Sequence, residues 1–367
     1  MKPLDLSVRM YNVGHGDCFL LTFRYLKEHR HLLIDFGTLQ PNRVEERQRL
    51  LPVALDIVKT CAGKLHGVVA THAHRDHIGG FERLRKQEAP GNIVSGLQPE
   101  LVIYPETHPV ASALDSVYAA LTGSQFSNHR AMEDFRKLGR ALKVHHGKKT
   151  GLEKVIPGVK FHVLGPVRVT SRLSRSSTRL LDGESQQVLE FWATEYLAIQ
   201  QNSSRPIFPH ADQLSLELAP PSSQWLMNRL NRFRDDQLLQ FAQMIHTEIN
   251  NSSVILLIEA CGHKLLFPGD AETGSWLQVL NHPVRRKLVT GTTVYKASHH
   301  GSINGTPPAL LKLFRTDVIT LLSSRDPKMQ NPLGKHAAAL DTRHLISRKG
   351  LSLDLHLEPL RNQNLAA

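Results

Sequence analysis

Short apolar runs separated by polar, glycine-containing turns recur along the 367 residues of this chain. Aliphatic and β-branched runs that end at such turns are typical of strands. The pattern predicts strands near residues 6–13, 18–23, 31–37, 66–71, 101–104, 159–166, 253–259, 263–267, 292–297, 317–322 and 351–357. Apolar residues at helical spacing predict helices over 43–64, 78–86, 111–142 (with a break near 123–124) and 335–347. Strands and helices in alternation indicate a mixed α/β fold.

The composition changes between residues 167 and 245, where Ser, Arg and Gln become more frequent. Helical spacing recurs there near 186–200 and 222–244. Because the strand pattern resumes afterwards, we interpret residues 167–245 as a helical insertion or cap within a single domain of residues 1–367. Its arginines are candidates for contacts with phosphate groups: Arg168, Arg172, Arg175, Arg179, Arg229, Arg232 and Arg234.

A dense group of potential metal ligands follows the predicted strand at 66–71. Residues 71–80 read Thr-His-Ala-His-Arg-Asp-His-Ile-Gly-Gly. Imidazole nitrogens and carboxylate oxygens suit a borderline divalent ion such as zinc, and manganese also accepts them. On an extended backbone His72 and His74 point the same way and can bind one ion. Asp76 and His77 lie beyond a bend and can reach a second ion.

Other strand ends carry the same residue types. Asp270 suits a carboxylate that bridges two ions, because one carboxylate supplies two oxygens. Of His299 and His300, one can ligate the second ion while the other contacts substrate or a carboxylate; we expect His300 to be the ligand. Asp35 is expected to orient a ligating histidine by accepting its second ring N–H. Lys296 adds a cation that could hold a phosphate.

The overall charge favours a polyanionic partner. The chain has 45 Lys and Arg against 33 Asp and Glu, a formal net charge of +12. Such a field attracts nucleic acid, the commonest polyanion of a cytoplasm. Three cysteines form no disulfide framework, no apolar run approaches the length of a membrane helix, and the first residues lack a signal peptide's apolar region. We therefore expect a cytoplasmic protein with no membrane segment.

Taken together, these motifs resemble those of the metallo-β-lactamase-fold hydrolases, whose His-x-His-x-Asp-His pattern matches residues 72–77. A closer resemblance is to the hydrolase domain of the ComEC-type DNA-uptake proteins. Its turn, strand-end and His-His-Gly-Ser motifs match in order at residues 13–17, 35–37, 250–254, 269–270 and 299–302. The resemblance implies an αββα sandwich with the metals at one edge. Unlike this chain, the ComEC-type proteins carry membrane-spanning segments.

The resemblance leaves the third protein ligand of the first ion open. Many members of the fold place a histidine before a late strand, and His246 lies just upstream of the appropriate predicted strand. His108 and the pair His145 and His146 are the other options, and water or an asparagine could also complete the site.

The function predicted first is a dinuclear phosphodiesterase or nuclease that attacks nucleic acid through a metal-bound hydroxide, with two zinc or manganese ions as cofactors. Asp76 would orient the hydroxide, and His299 or His300 would protonate the leaving oxygen. Two alternatives remain. One is a hydrolase of a small molecule such as a cyclic nucleotide, lactone or thioester. The other is a non-catalytic regulatory partner that keeps the fold.

Overall fold

Two β-sheets form the centre of the fold in this computed structural model. It describes residues 1–40, 42–85, 88–106, 115, 126–167, 242–324, 339–341 (backbone only) and 350–360. The strands of the first sheet are β1 (Asp5–Tyr11), β2 (Cys18–Arg24), β3 (His29–Phe36), β4 (Gly67–Val69), β5 (Leu101–Pro105), β6 (Arg140–Val144) and β13 (Ser352–Leu357). Those of the second are β7 (Lys160–Gly165), β8 (Ile255–Ala260), β9 (His263–Phe267), β10 (Val294–Lys296), β11 (Ile319–Leu322) and β12 (Ala339–Asp341).

The strand order brings the ends of several strands to one edge. The first sheet runs β13-β1-β2-β3-β4-β5-β6 and the second β12-β11-β10-β9-β8-β7. Strands β3 to β6 are parallel, and so are β9 to β12. Strand β2 is antiparallel to β3, so its first residue, Cys18, pairs with Phe36 at the end of β3. The residues just before β2 and just after β3 and β4 therefore lie at the same edge of the first sheet.

Helices connect many of these strands. They are α1 (Arg43–Thr60), α2 (Arg75–Ile78), α3 (Pro90–Ser95), α4 (His129–Arg136), α5 (Leu152–Val155), α6 (residues 242–251), α7 (Thr273–Leu280), α8 (Pro283–Val289) and α9 (Pro308–Leu311). None of the helices in the described part of the chain is long and apolar enough to cross a bilayer.

Three apolar layers explain the αββα architecture. Between the sheets, alternate residues of β1 and β2 pack against β8 and β9; the rings of Phe19 and Phe267 are 5.4 Å apart. The opposite face of the first sheet packs against the buried side of α1, including Leu50 and Val53. The second sheet packs against α7 through the fully buried Trp276. The predicted mixed α/β sandwich is confirmed.

The chain divides into two compact units. The first contains residues 1–107, 127–170 and 249–367, and it includes both sheets. The second contains residues 108–126 and 171–248. It takes in most of the predicted insertion and also the earlier segment 108–126. The insertion arginines Arg168 to Arg234 and His108 lie outside the described residues.

Three predicted helices were wrong in part. The helix predicted through residue 142 ends at Arg136, and β6 follows, because pairing with β5 overrides local propensity. Gly139 separates the two elements; a Cβ there would overlap the carbonyl of Pro99. The helix predicted over 78–86 is replaced by α2 and a 3₁₀ turn, since Gly-Gly is a poor helix former, and Leu84 is exposed. Within 335–347, the described residues 339–341 form β12.

Candidate metal centre

Ligand atoms of four residues converge at the shared edge of the sheets. The Nε2 atoms of His77 and His300 lie 3.3 Å apart. Asp270 places Oδ1 3.2 Å from the first and Oδ2 3.3 Å from the second. Asp76 Oδ2 lies 3.1 Å from Nε2 of His300. His77, Asp270 and Asp76 thus surround Nε2 of His300, and two imidazoles with two carboxylates are a donor set that a divalent ion accepts.

The Nδ1 atoms of His77 and His300 form hydrogen bonds with other groups. His77 Nδ1 lies 2.8 Å from Asp35 Oδ2. His300 Nδ1 donates to the carbonyl oxygen of Ser323 at 2.8 Å. Such bonds set the ring orientation and direct both Nε2 atoms toward the centre. Asp35 itself accepts from the N–H and the hydroxyl of Thr71, each at 2.7 Å.

His72 and His74 form a pair beside this group. His72 Nε2 lies 2.9 Å from His74 Nδ1, close enough for both imidazoles to share an ion. The rings of His72 and His77 have centroids 4.1 Å apart, so the pair adjoins the four-ligand group. Burial and the neighbouring His77 and His74 hold the pKa of His72 well below its ordinary value. This imidazole is therefore neutral at neutral pH, the form that binds metal.

The electrostatics of the four-ligand group favour a cation. Burial lowers the pKa of His77, but Asp270 and Asp76 outweigh it and raise the pKa to about 10. Burial likewise lowers the pKa of His300, yet Asp270 raises it well above its ordinary value. Burial raises the pKa of Asp270, but the two imidazoles hold it well below its usual range. The carboxylates thus create a strongly negative potential at a buried point, and a divalent cation would satisfy it.

Lys296 lies behind the centre rather than on its open side. Its side chain is 1% exposed, and Nζ donates to the carbonyl oxygen of Gly269 at 3.0 Å. It pairs with Asp17 at 2.5 Å and with Asp270 at 3.2 Å. The sequence suggested a phosphate contact for this lysine. The geometry instead favours a positioning role, because three acceptors already surround the ammonium group.

His299 is placed differently from its neighbour. Its Nδ1 lies 3.6 Å from Glu272 Oε1, and its ring centroid is 6.4 Å from that of His300. The two residues have φ values of 48° and 52°, a left-handed conformation that is strained for non-glycine residues. This turn separates the two imidazoles, so that His300 joins the ligand group while the His299 side chain stays 17% exposed.

The third ligand for the pair His72 and His74 stays a prediction. Within the described ranges, no group of three potential ligands includes both residues. His246 lies on α6 in the second unit, with its ring 6.0 Å from that of Phe126. In the first unit, His145 Nδ1 contacts the backbone of His146.

Asp17 is a site residue that the sequence reasoning did not select. It is buried, and its oxygens lie 3.6 Å from His77 Nδ1 and 3.4 Å from His300 Nδ1. His15, two residues earlier, lies 4.0 Å from Asp76 Oδ2. The sequence does contain a signal for Asp17. The turn Gly-His-Gly-Asp at 14–17 follows a predicted strand and carries the same residue types as the other strand ends.

Residues 11–165 match the family model described as Metallo-beta-lactamase superfamily. No curated protein matches the chain. The matched region contains Asp35, His72, His74, Asp76 and His77. The match and the candidate centre together indicate metal-dependent hydrolysis.

Proposed function

We propose that this protein is a phosphodiesterase that cleaves nucleic acid with two bound divalent ions, zinc or manganese. The observation that carries the proposal is the convergence of His77, His300, Asp270 and Asp76 beside His72 and His74. The basic composition and the motif resemblance to the ComEC-type hydrolase domain support nucleic acid as the substrate.

The protein's side chains have distinct tasks in this proposal. His72 and His74 would hold one ion, while His77, Asp76 and His300 would hold the other, and Asp270 would supply a further carboxylate ligand. Bound divalent ions would supply Lewis acidity toward the phosphoryl oxygen and activate water near neutral pH.

The remaining groups position the ligands or handle protons. Asp35 fixes the ring of His77, and Lys296 holds Asp17 and Asp270 in place. We assign protonation of the leaving oxygen to His299, which is more exposed than His300.

Cleavage assays test the proposal. Wild-type protein, His74→Ala and the control His356→Ala, an exposed residue of β13, are loaded with zinc or manganese. Each is incubated with single- and double-stranded DNA, RNA and a generic phosphodiester, and separately with a cyclic nucleotide, a lactone and a thioester. We expect wild type and the control to cleave nucleic acid and His74→Ala to lose at least about 100-fold in rate.

Two results would contradict the proposal. Hydrolysis of only a cyclic nucleotide, a lactone or a thioester would identify a small-molecule hydrolase. Less than one ion per chain, with no hydrolysis of any of these compounds after metal reconstitution, would indicate a non-catalytic protein.

A further inference from the structure

A strongly basic segment lies away from the metal centre, at residues 136–160 of the first unit. It contains eight Lys and Arg but a single carboxylate, Glu153. All eight basic side chains are exposed. They are Arg136, Lys137, Arg140, Lys143, Lys148, Lys149, Lys154 and Lys160. This segment therefore supplies more than half of the chain's net positive charge.

Most of these cations have no ionic partner in the described residues. Lys160 lies 3.6 Å from Glu259, and Arg136 stacks on the ring of Tyr104 at 4.7 Å. Among the described parts of the chain, no carboxylate forms an ion pair with the others that flank β6 and α5. Those side chains are Arg140, Lys143, Lys148, Lys149 and Lys154. Uncompensated like charges repel one another, so their proximity costs free energy that a bound anion would recover.

Three of the cations line one open cleft. A cavity of about 640 Å³ lies between the first residues of β5 and β6 and the turn that leads into α5. Arg140 enters it from β6, and its guanidinium group lies over Gly151. Lys149 and Lys154 enter from the turn and from α5. Leu101 and Leu142 form an apolar part of its wall. The cleft thus offers several positive groups around a concave surface.

We propose that this cleft binds the phosphodiester backbone of a nucleic acid, so that it forms a second contact site for the substrate. The inference rests on the proposed function for the class of ligand. Phosphate groups are bound mainly by Lys and Arg that replace condensed counterions, and this cleft presents such groups without competing carboxylates beyond Glu153.

Two other uses of these cations fit the structure less well. Charged residues on an edge strand prevent pairing with other strands, and β6 is the last strand of the first sheet among the described residues. However, Lys149 and Lys154 lie outside β6 and serve no such purpose. A membrane surface would need apolar anchors, and residues 136–160 include no exposed large hydrophobic side chain.

The location of the cleft implies a long ligand. Arg140 pairs with Leu101, and Leu101 pairs with Gly67, so the cleft lies level with the start of β4. The metal ligands follow the end of β4. Strand rise and spacing place the two regions roughly 20 Å apart. Phosphate groups recur along the whole length of a nucleic acid, at about one charge per 1.7 Å of duplex, so one strand or duplex can contact both regions. A mononucleotide is too short to reach both.

Binding measurements without metal test the inference separately from catalysis. The full chain in EDTA is titrated into a fluorescent 30-nucleotide single strand at several salt concentrations. The test variant is Lys149→Glu/Lys154→Glu. The control is Arg286→Glu/Lys287→Glu, which makes the same change of charge on the exposed face of α8. Circular dichroism and thermal melting verify that both variants fold.

We expect the test variant to raise Kd about tenfold or more and to reduce the slope of log K against log salt by about 1.4, since two phosphate contacts are lost. The control should change Kd by less than about twofold. Equal weakening by both variants would show a general charge effect and overturn the inference, as would an unchanged Kd in the test variant. If wild type binds through the cleft but cleaves no nucleic acid, the proposed function fails while this inference holds.

Discussion

The carboxylate of Asp35 lies 2.8 Å from Nδ1 of His77, and its other oxygen accepts the backbone N–H of Thr71. Asp35 has a φ of 57°, so a non-glycine residue adopts the left-handed conformation to make these contacts. This relationship joins the end of β3 to the metal motif after β4. It fixes which nitrogen of His77 faces the candidate centre.

Replacement of this carboxylate should weaken metal binding without unfolding the protein. Asp35→Asn keeps an acceptor for Thr71 and tolerates a positive φ, but it removes the charge that orients His77. We expect metal affinity to fall about 10- to 100-fold, as measured by calorimetric titration. Asp56→Asn, at the distant pair with Arg9, is the matched control and should leave the affinity unchanged. Equal affinity in both variants would contradict the role of Asp35.

Loss of the buried lysine should destabilise the metal-free protein. Lys296→Met leaves the carboxylates of Asp17 and Asp270 buried without their cation. We expect the free energy of unfolding to fall by about 3–5 kcal/mol in EDTA. Added zinc should restore part of the loss, because the ion compensates the same carboxylates. Urea unfolding with and without zinc measures both effects. If zinc does not reduce the loss of stability, Lys296 does not compensate the carboxylates of the metal centre.

Close backbone packing at Gly16 should make this position intolerant of a side chain. A Cβ there would lie 2.5 Å from the carbonyl oxygen of Gly37 and 2.6 Å from that of Asp76. We expect Gly16→Ala to lower stability by about 3 kcal/mol and to weaken metal binding, since the loop of Asp76 must shift. Gly147→Ala is the control, with a φ of 76° but no atom within 4 Å. It should cost only about 1 kcal/mol in thermal or urea unfolding.

Two buried histidines should make the fold sensitive to acid. Burial lowers the pKa of His31 and of His66 to about 4, and His66 Nδ1 accepts the backbone N–H of His31. The unfolded state, with a pKa near 6.5, binds more protons between these values. The stabilisation is therefore complete above pH 6.5 and is lost as the pH falls toward 4.

Urea unfolding at pH 7 and pH 5 measures this effect. We expect His66→Gln to reduce the loss of stability between the two pH values by about 1–2 kcal/mol relative to wild type. His356→Gln, at an exposed position of β13, is the control and should behave as wild type. The same pH dependence in His66→Gln as in wild type would exclude His66 as the source.

Local sequence patterns predicted most strands, because a buried strand consists largely of apolar residues whatever its pairing partners are. Apolar alternation in β1 and the nearly continuous apolar runs of β2, β4 and β8 were sufficient to locate these strands. Patterns failed where pairing partners decide the outcome. Residues 140–144 have no strong strand preference, yet they form β6 because their backbone pairs with β5.

The sequence by itself determined the mixed α/β class and the metal-ligand motif at 72–77, since ligand spacing and strand ends are local properties of the chain. It also indicated Asp35, Asp270 and His300 as residues for the same site. Only the tertiary structure decided that Asp17 and Lys296 lie behind that site, that His299 is turned away from His300, and that Arg140 shares a cleft with Lys149 and Lys154. These arrangements depend on strand order and on buried charge pairing between segments that are distant in the chain, and no local pattern encodes either.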